Sequence, residues 1–225
     1  WKEESFTSER TRVMNKCMNS SDAFVSESLH GIVDAYPDFY HFTEDSRGIV
    51  YSGNAKRRVR IVTGGGYGHL PLFLGYVGNG MCDGVAVGNV FTSPSADTIM
   101  NVSRKMGSKE ILFLFGNYFG DSMNFEMAQE MLEVDGITAE IVKGCDDLAS
   151  SDVREARRGI AGIVFAYKAA GAAADIGLGL HEVTEIARMA IEHTSSMGVA
   201  FSSCTLPGEE KPIFEIANNE MEMGM

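Results

Sequence analysis

The stretch Val59-Arg60-Ile61-Val62-Thr63-Gly64-Gly65-Gly66-Tyr67-Gly68-His69-Leu70-Pro71 decides what fold to expect of this chain. Val59, Ile61 and Val62 read as a buried strand, and Leu72, Phe73, Leu74, Tyr76 and Val77 beyond it as a packed helix or second apolar segment. Between them, the spacing of Gly64, Gly65, Gly66 and Gly68 predicts a ligand loop. Without a Cβ, backbone N–H groups can approach a bound oxygen closely, and positive φ carries no steric cost. The plain alternative is a tight strand-to-helix turn, although three consecutive glycines and a fourth after Tyr67 exceed what a turn needs. His69 is the one group of this loop that titrates near neutral pH. The loop has neither the Gly-Lys-Ser/Thr ending of a P-loop nor the GxGxxG dinucleotide fingerprint, so a bound ATP or NAD is not expected.

Working outward, residues 1–20 read as an irregular N-terminal segment. Val25, Leu29, Ile32, Val33 and Tyr36 follow at helical spacing, with Ser21 or Asp22 as N-cap and Pro37 as the stop. Strands are expected at Val59–Thr63, Gly84–Val87, Ile111–Phe115, Ala139–Val142 and Gly198–Ser202. Ser93-Pro94 reads as a cap opening a helix toward Met106. Met123, Met127, Met131 and Val134 form a core-facing stripe after Asp121, while Gly159–Ala174 and the run around Val183–Ile191 give two further helices. Strands alternating with helices predict an α/β fold with a largely parallel or mixed sheet flanked by helices, and the start of a second α/β domain. Residues 21–150 are expected to form the first domain with the ligand loop, and 151–225 an incomplete second one. The polar run 145–158 is expected to be a surface connection between two halves of the chain, without itself marking a domain boundary. Position 1 is Trp and the chain stops at Gly224-Met225, so a fragment of a longer protein is expected.

At 225 residues the chain can bury a proper core without staples. Its net charge of −12 argues against a nucleic-acid or anionic-membrane partner. Cys17, Cys82, Cys145 and Cys204 are scattered without metal-ligand spacing, which suits reduced thiols and gives no metal site. No apolar run reaches the roughly 18 residues of a bilayer span, so a cytoplasmic protein is expected.

In a parallel sheet, ligands sit beyond the carboxyl ends of the strands. Two loops answer to that rule: the glycine cluster, and Gly116-Asn117-Tyr118-Phe119-Gly120-Asp121-Ser122 after Ile111–Phe115. His69 can act as a general base or as a hydrogen-bond donor, or can simply start a helix; Asp121 can accept a proton, cap a helix, or do both. Asn117-Tyr118 and Ser202–Thr205 suit turns, and Cys204 lacks a cationic neighbour in sequence that would make it a nucleophile.

Taken together, Gly64–Pro71, Gly75-Tyr76-Val77-Gly78-Asn79-Gly80-Met81, Phe91-Thr92-Ser93-Pro94-Ser95 and Asn117–Phe125 resemble the dihydroxyacetone kinase family, in particular its DhaK substrate-binding subunit or domain. The likeness continues through Arg157–Gly162, Ala169–Ala174, Gly198–Gly208 and Asn219–Gly224, covering roughly residues 25 to 225. The resemblance implies phosphorylation of a terminal hydroxyl of a short ketose, dihydroxyacetone or erythrulose. The phosphoryl group would come from an all-helical DhaL-type domain or subunit that holds ATP or ADP with magnesium, and this chain itself would bind no cofactor. By motif, Gly66, Tyr67, Gly68 and His69 fall on the substrate loop, His69 as acid/base or polarising histidine, and Asp121 on the aspartate that accepts the hydroxyl proton. A homodimer is implied as well. The family's covalent histidine would lie beyond Met225, so this chain alone is expected to bind ketose weakly and to be inactive.

The chain also departs from the family pattern. Tyr67 stands where Ser is usual, Leu70 where Glu is, Gly116 where Lys is and Phe119 where Thr is, which implies a variant pocket. Losing the lysine removes a charge-assisted donor worth roughly 1.5–3 kcal/mol. A noncatalytic ketose sensor on the same fold is the competing reading, since a sensor needs the pocket but no proton acceptor. A dinucleotide-dependent oxidoreductase is disfavoured by the absent GxGxxG.

Overall fold

The computed structural model describes residues 17–54, 56–67 and 74–224. Its elements are α1 (Phe24–Ala35), β1 (Tyr40–Phe42), β2 (Gly48–Tyr51), β3 (Val59–Gly66), β4 (Gly84–Gly88), α2 (Ala96–Lys105), β5 (Glu110–Gly116), α3 (Phe119–Val134), β6 (Thr138–Gly144), α4 (Ile163–Asp175), α5 (Leu180–Glu192), β7 (Val199–Ala200) and β8 (Glu222–Met223). Strands β1 to β6 form one mixed sheet in the order β1-β2-β4-β3-β5-β6. The four strands β4, β3, β5 and β6 are parallel, while β1 and β2 add an antiparallel edge. The expected α/β class with a mixed sheet flanked by helices is therefore what the chain adopts.

Alternation along the strands explains the two-sided burial. On β3 and β5, Val59, Ile61, Leu112 and Leu114 face a core shared with α1, α4 and α5. Their neighbours Val62, Ile111, Phe113 and Phe115 face a second core, shared with α2 and α3. The edge hairpin β1–β2 went unread in the sequence. It turns at Ser46, whose φ is +54°, and Thr43 Oγ1 accepts the Gly48 N–H at 2.9 Å.

Several local expectations need correction. The N-cap of α1 is Ala23, without a side-chain cap, rather than Ser21 or Asp22; α2 is capped by Ser95, which accepts the Thr98 N–H at 3.1 Å, rather than by Ser93. The stripe Met123, Met127, Met131 and Val134 points outward, with Met127 47% exposed, because the buried face of α3 is Asp121, Phe125, Ala128 and Leu132. The phase slips because the aromatic side chain of Phe125 matches the inter-layer gap, where it stacks on Phe115 at 4.1 Å and meets Phe113 edge-on at 5.2 Å.

The run 145–158 is not simply a surface connection. Asp146 is 1% exposed and accepts the Ile160 and Gly162 N–H groups at 3.1 and 2.8 Å, fixing the entry to α4. Helices α4 and α5 then cover the same sheet and share its core, so residue 150 falls within this packing and not at a gap in it. Only beyond them does a separate pair form, Val199–Ala200 against Glu222–Met223.

Candidate functional site

The glycines expected to form a loop are instead the end of a strand. Gly64, Gly65 and Gly66 are buried in β3 and pair with Ala86, Val87 and Gly88 of β4. The physical reason is close approach. A Cβ on Gly64 would stand 2.7 Å from the Ala86 carbonyl oxygen and 3.1 Å from the Phe125 ring, and one on Gly66 would stand 2.9 Å from Phe91 Cα and Thr92 N. The chain leaves the sheet at Tyr67, whose N–H donates to the Asn89 carbonyl at 3.1 Å and whose ring meets Phe24 edge-on at 5.5 Å. Gly68 and His69 lie outside the described residues.

Asp121 is described in full. It sits in the first turn of α3, whose N-cap is Tyr118, so its carboxyl is not the cap that the sequence alone allowed. It is 6% exposed, and its Oδ1 is buried without a hydrogen-bond partner. Burial pushes its pKa up to about 6, against the smaller lowering by Ser93. The positive end of the helix dipole also favours the anion here. At neutral pH the group is a carboxylate more basic than usual, with one oxygen uncommitted, which suits it to take a proton from an alcohol.

Gly66, Asp121 and the segment Asn89–Ser95 thus converge at the carboxyl ends of β3, β4 and β5, the place a parallel sheet reserves for ligands. Asn117 serves as a brace, donating to the Glu155 and Arg157 carbonyls at 3.0 and 2.8 Å. The Arg158 guanidinium lies 5.8 Å from the Tyr118 ring centroid. A cavity of about 680 Å³ at the opposite edge, lined by Tyr51, Arg60 and Lys105, does not include Asp121, and size alone does not outweigh the chemistry at the strand ends. Among the described residues, no group of three or more His, Cys, Asp or Glu could hold a metal ion, and no helix is long and apolar enough to cross a membrane. In the sequence Ser93 reads as the helix cap where Ser95 serves; the only signal was the adjacency of the two hydroxyls around Pro94.

Residues 30–225 match the family model of the Dak1 domain. The chain belongs to the Dak1 domain family. Over 215 residues this Dak1 chain is 45% identical to the "PTS-dependent dihydroxyacetone kinase 2, dihydroxyacetone-binding subunit DhaK" of Listeria innocua, covering 94% of this chain and 65% of that protein. It is 41% identical over 216 residues to the "L-erythrulose kinase" of Pectobacterium atrosepticum, covering 94% of this chain and 36% of that protein. The dihydroxyacetone kinase from C. freundii, solved in complex with AMP-PNP and Mg2+, superposes with a TM-score of 0.86 at 31% identity, over 94% of this chain and 40% of that one. The Dak1 chain therefore spans between about a third and two thirds of the length of these relatives.

Proposed function

We propose that this chain is the ketose-binding part of a dihydroxyacetone-type kinase, which transfers a phosphoryl group to a terminal hydroxyl of a short ketose. The observation that carries the reading is Asp121, a buried carboxyl with a free Oδ1 at the strand ends of a Dak1 chain. An unassisted alcohol is a poor nucleophile toward phosphorus, and a positioned base that takes its proton supplies what the reaction lacks. Asp121 is that base; Gly66 and Tyr67, where the chain leaves β3, hold the substrate together with Gly68 and His69, the last polarising the ketose. Dihydroxyacetone and erythrulose are the substrates of choice, in line with the names of the relatives.

The phosphoryl donor is held elsewhere. ATP or ADP with magnesium sits on a DhaL-type partner domain or subunit, in line with the missing P-loop. When bound, the magnesium nucleotide supplies the phosphoryl group and neutralises its charge, while this chain orients the ketose and accepts its proton. The working protein is a cytoplasmic homodimer.

The test is a coupled phosphorylation assay of the parent-length chain with a DhaL-type partner, ATP and magnesium, offering dihydroxyacetone and both erythrulose enantiomers beside Asp121→Asn. Turnover that collapses in the variant supports the kinase. Calorimetric ketose binding without turnover in the unaltered protein would replace it by the sensor reading.

A further inference from the structure

We propose that the cavity between the end of α1, the edge strands β1 and β2 and the end of α2 is a binding site for a small phosphate monoester, gripped by Arg60 and Lys105. It is separate from the strand ends that hold Asp121 and does not depend on the kinase reading. Arg60 is the second residue of β3 and Gly66 its last, so roughly 20 Å of strand lies between the two places.

Arg60 carries the argument. It is 5% exposed, yet among the described residues only its Nη1 bonds to protein, at 3.2 Å from Asp83 Oδ1. Asp83 is already engaged, because its other oxygen accepts from Arg57 at 3.2 Å and from the Ile61 N–H at 2.8 Å. Arg57 has a second carboxylate in Asp175 at 2.6 Å, whereas Arg60 has only its share of Asp83. A charge so deeply buried is costly unless it is fully paired. The Arg60 Nε is closed off without a partner; Nη2, on the same edge of the guanidinium plane, is unbonded too but is not closed off, and Arg60 lines the cavity. That edge is the two-donor fork that meets a pair of phosphate or carboxylate oxygens side by side.

The rest of the wall selects between those two anions. Lys105 borders the same cavity from the last turn of α2 and forms no ion pair among the described residues. Part of its charge answers the carbonyl end of that helix. Asp34 is the one carboxylate in the lining, so two fixed positive charges stand against one negative. A carboxylate spends both oxygens on the fork, whereas a tetrahedral phosphate keeps a further oxygen for the lysine. Val50, Tyr51 and Met106 add apolar surface, and about 680 Å³ leaves room for a carbon body behind the phosphate.

The experiment uses phenyl phosphate as probe and the parent-length chain carrying 15N-labelled arginine. The Arg60 Nε–H signal, assigned by its loss in Arg60→Lys, should move on titration. In calorimetry, the exposed change Lys105→Gln should weaken binding about tenfold. Asp121→Asn and an excess of dihydroxyacetone should leave the affinity as it is. Inorganic phosphate, which lacks the carbon body, and benzoate, which lacks the further oxygen, should each bind about tenfold more weakly than the probe. A stationary Arg60 signal, full affinity in Lys105→Gln, or displacement by dihydroxyacetone would overturn the site. Inorganic phosphate or benzoate binding as tightly as phenyl phosphate would overturn the class of ligand assigned to it.

Discussion

Tyr167 of α4 and Thr63 of β3 share a hydrogen bond of 2.7 Å between their hydroxyls, both side chains fully buried. The pair ties a helix that follows residue 150 to the strand that ends at Gly66. Burial pushes the Tyr167 phenol well above its ordinary pKa, so it stays neutral and can donate at any physiological pH. Tyr167→Phe leaves the Thr63 hydroxyl dry and unpaired, and should cost about 1–3 kcal/mol in urea unfolding. Adding Thr63→Val to it should recover much of that loss, since a pair of apolar groups leaves nothing unsatisfied. Equal losses in the single and double variants would show that the bond does not matter.

Asp121→Asn should stabilise the fold while abolishing turnover. In the unfolded chain an aspartate titrates near 3.9, whereas here it titrates at about 6. Below pH 3.9 both states carry the proton and the group contributes no difference. Between the two values the unfolded state releases its proton first, so stability falls as pH rises and stays lower above pH 6, by up to about 3 kcal/mol. Asparagine has no such window. The advantage of the variant in thermal unfolding should therefore be small at pH 4 and full at pH 8; a constant gap would contradict the cause assigned to the shift.

The two faces of α3 should respond oppositely to substitution. Phe125 is fully buried between Phe113 and Phe115, so Phe125→Ala should cost about 3–5 kcal/mol. Met127, two residues on, is 47% exposed, and Met127→Gln should change stability by no more than about 0.5 kcal/mol. Chemical denaturation of both variants checks the phase of the helix, and a large loss at Met127 would reverse it.

Arg57 joins parts far apart in sequence. It donates to Asp83 at 3.2 Å, to Asp175 at 2.6 Å, and to the Met81 and Gly171 carbonyls at 2.7 and 3.2 Å, while Arg60 shares Asp83 at 3.2 Å. Burial pushes the Asp83 carboxyl up, and the two guanidinium groups oppose that rise. Arg57→Met removes the main partner of a carboxylate with no exposed side-chain surface, and should cost about 3–5 kcal/mol in unfolding experiments. Asp83→Asn in the same background should restore part of it, because the uncompensated charge is then gone.

By itself the sequence determined the α/β class and the four parallel strands, and it predicted the two strand ends as the place for a ligand. Those follow from local physics: apolar runs of strand length, helical spacing, and the rule that places ligands beyond strand carboxyl ends. It also pointed to Asp121, because a polar run directly after Ile111–Phe115 has to emerge at that edge. Tertiary structure alone decided the rest. Gly64 and Gly66 are small because of Ala86, Phe91 and Thr92, and Ser95 rather than Ser93 caps α2. The methionine stripe of α3 faces outward because Phe125 takes the inner place. For the glycines and the methionines the deciding neighbour lies on another element, and the distance of a through-space contact leaves no period in the sequence between.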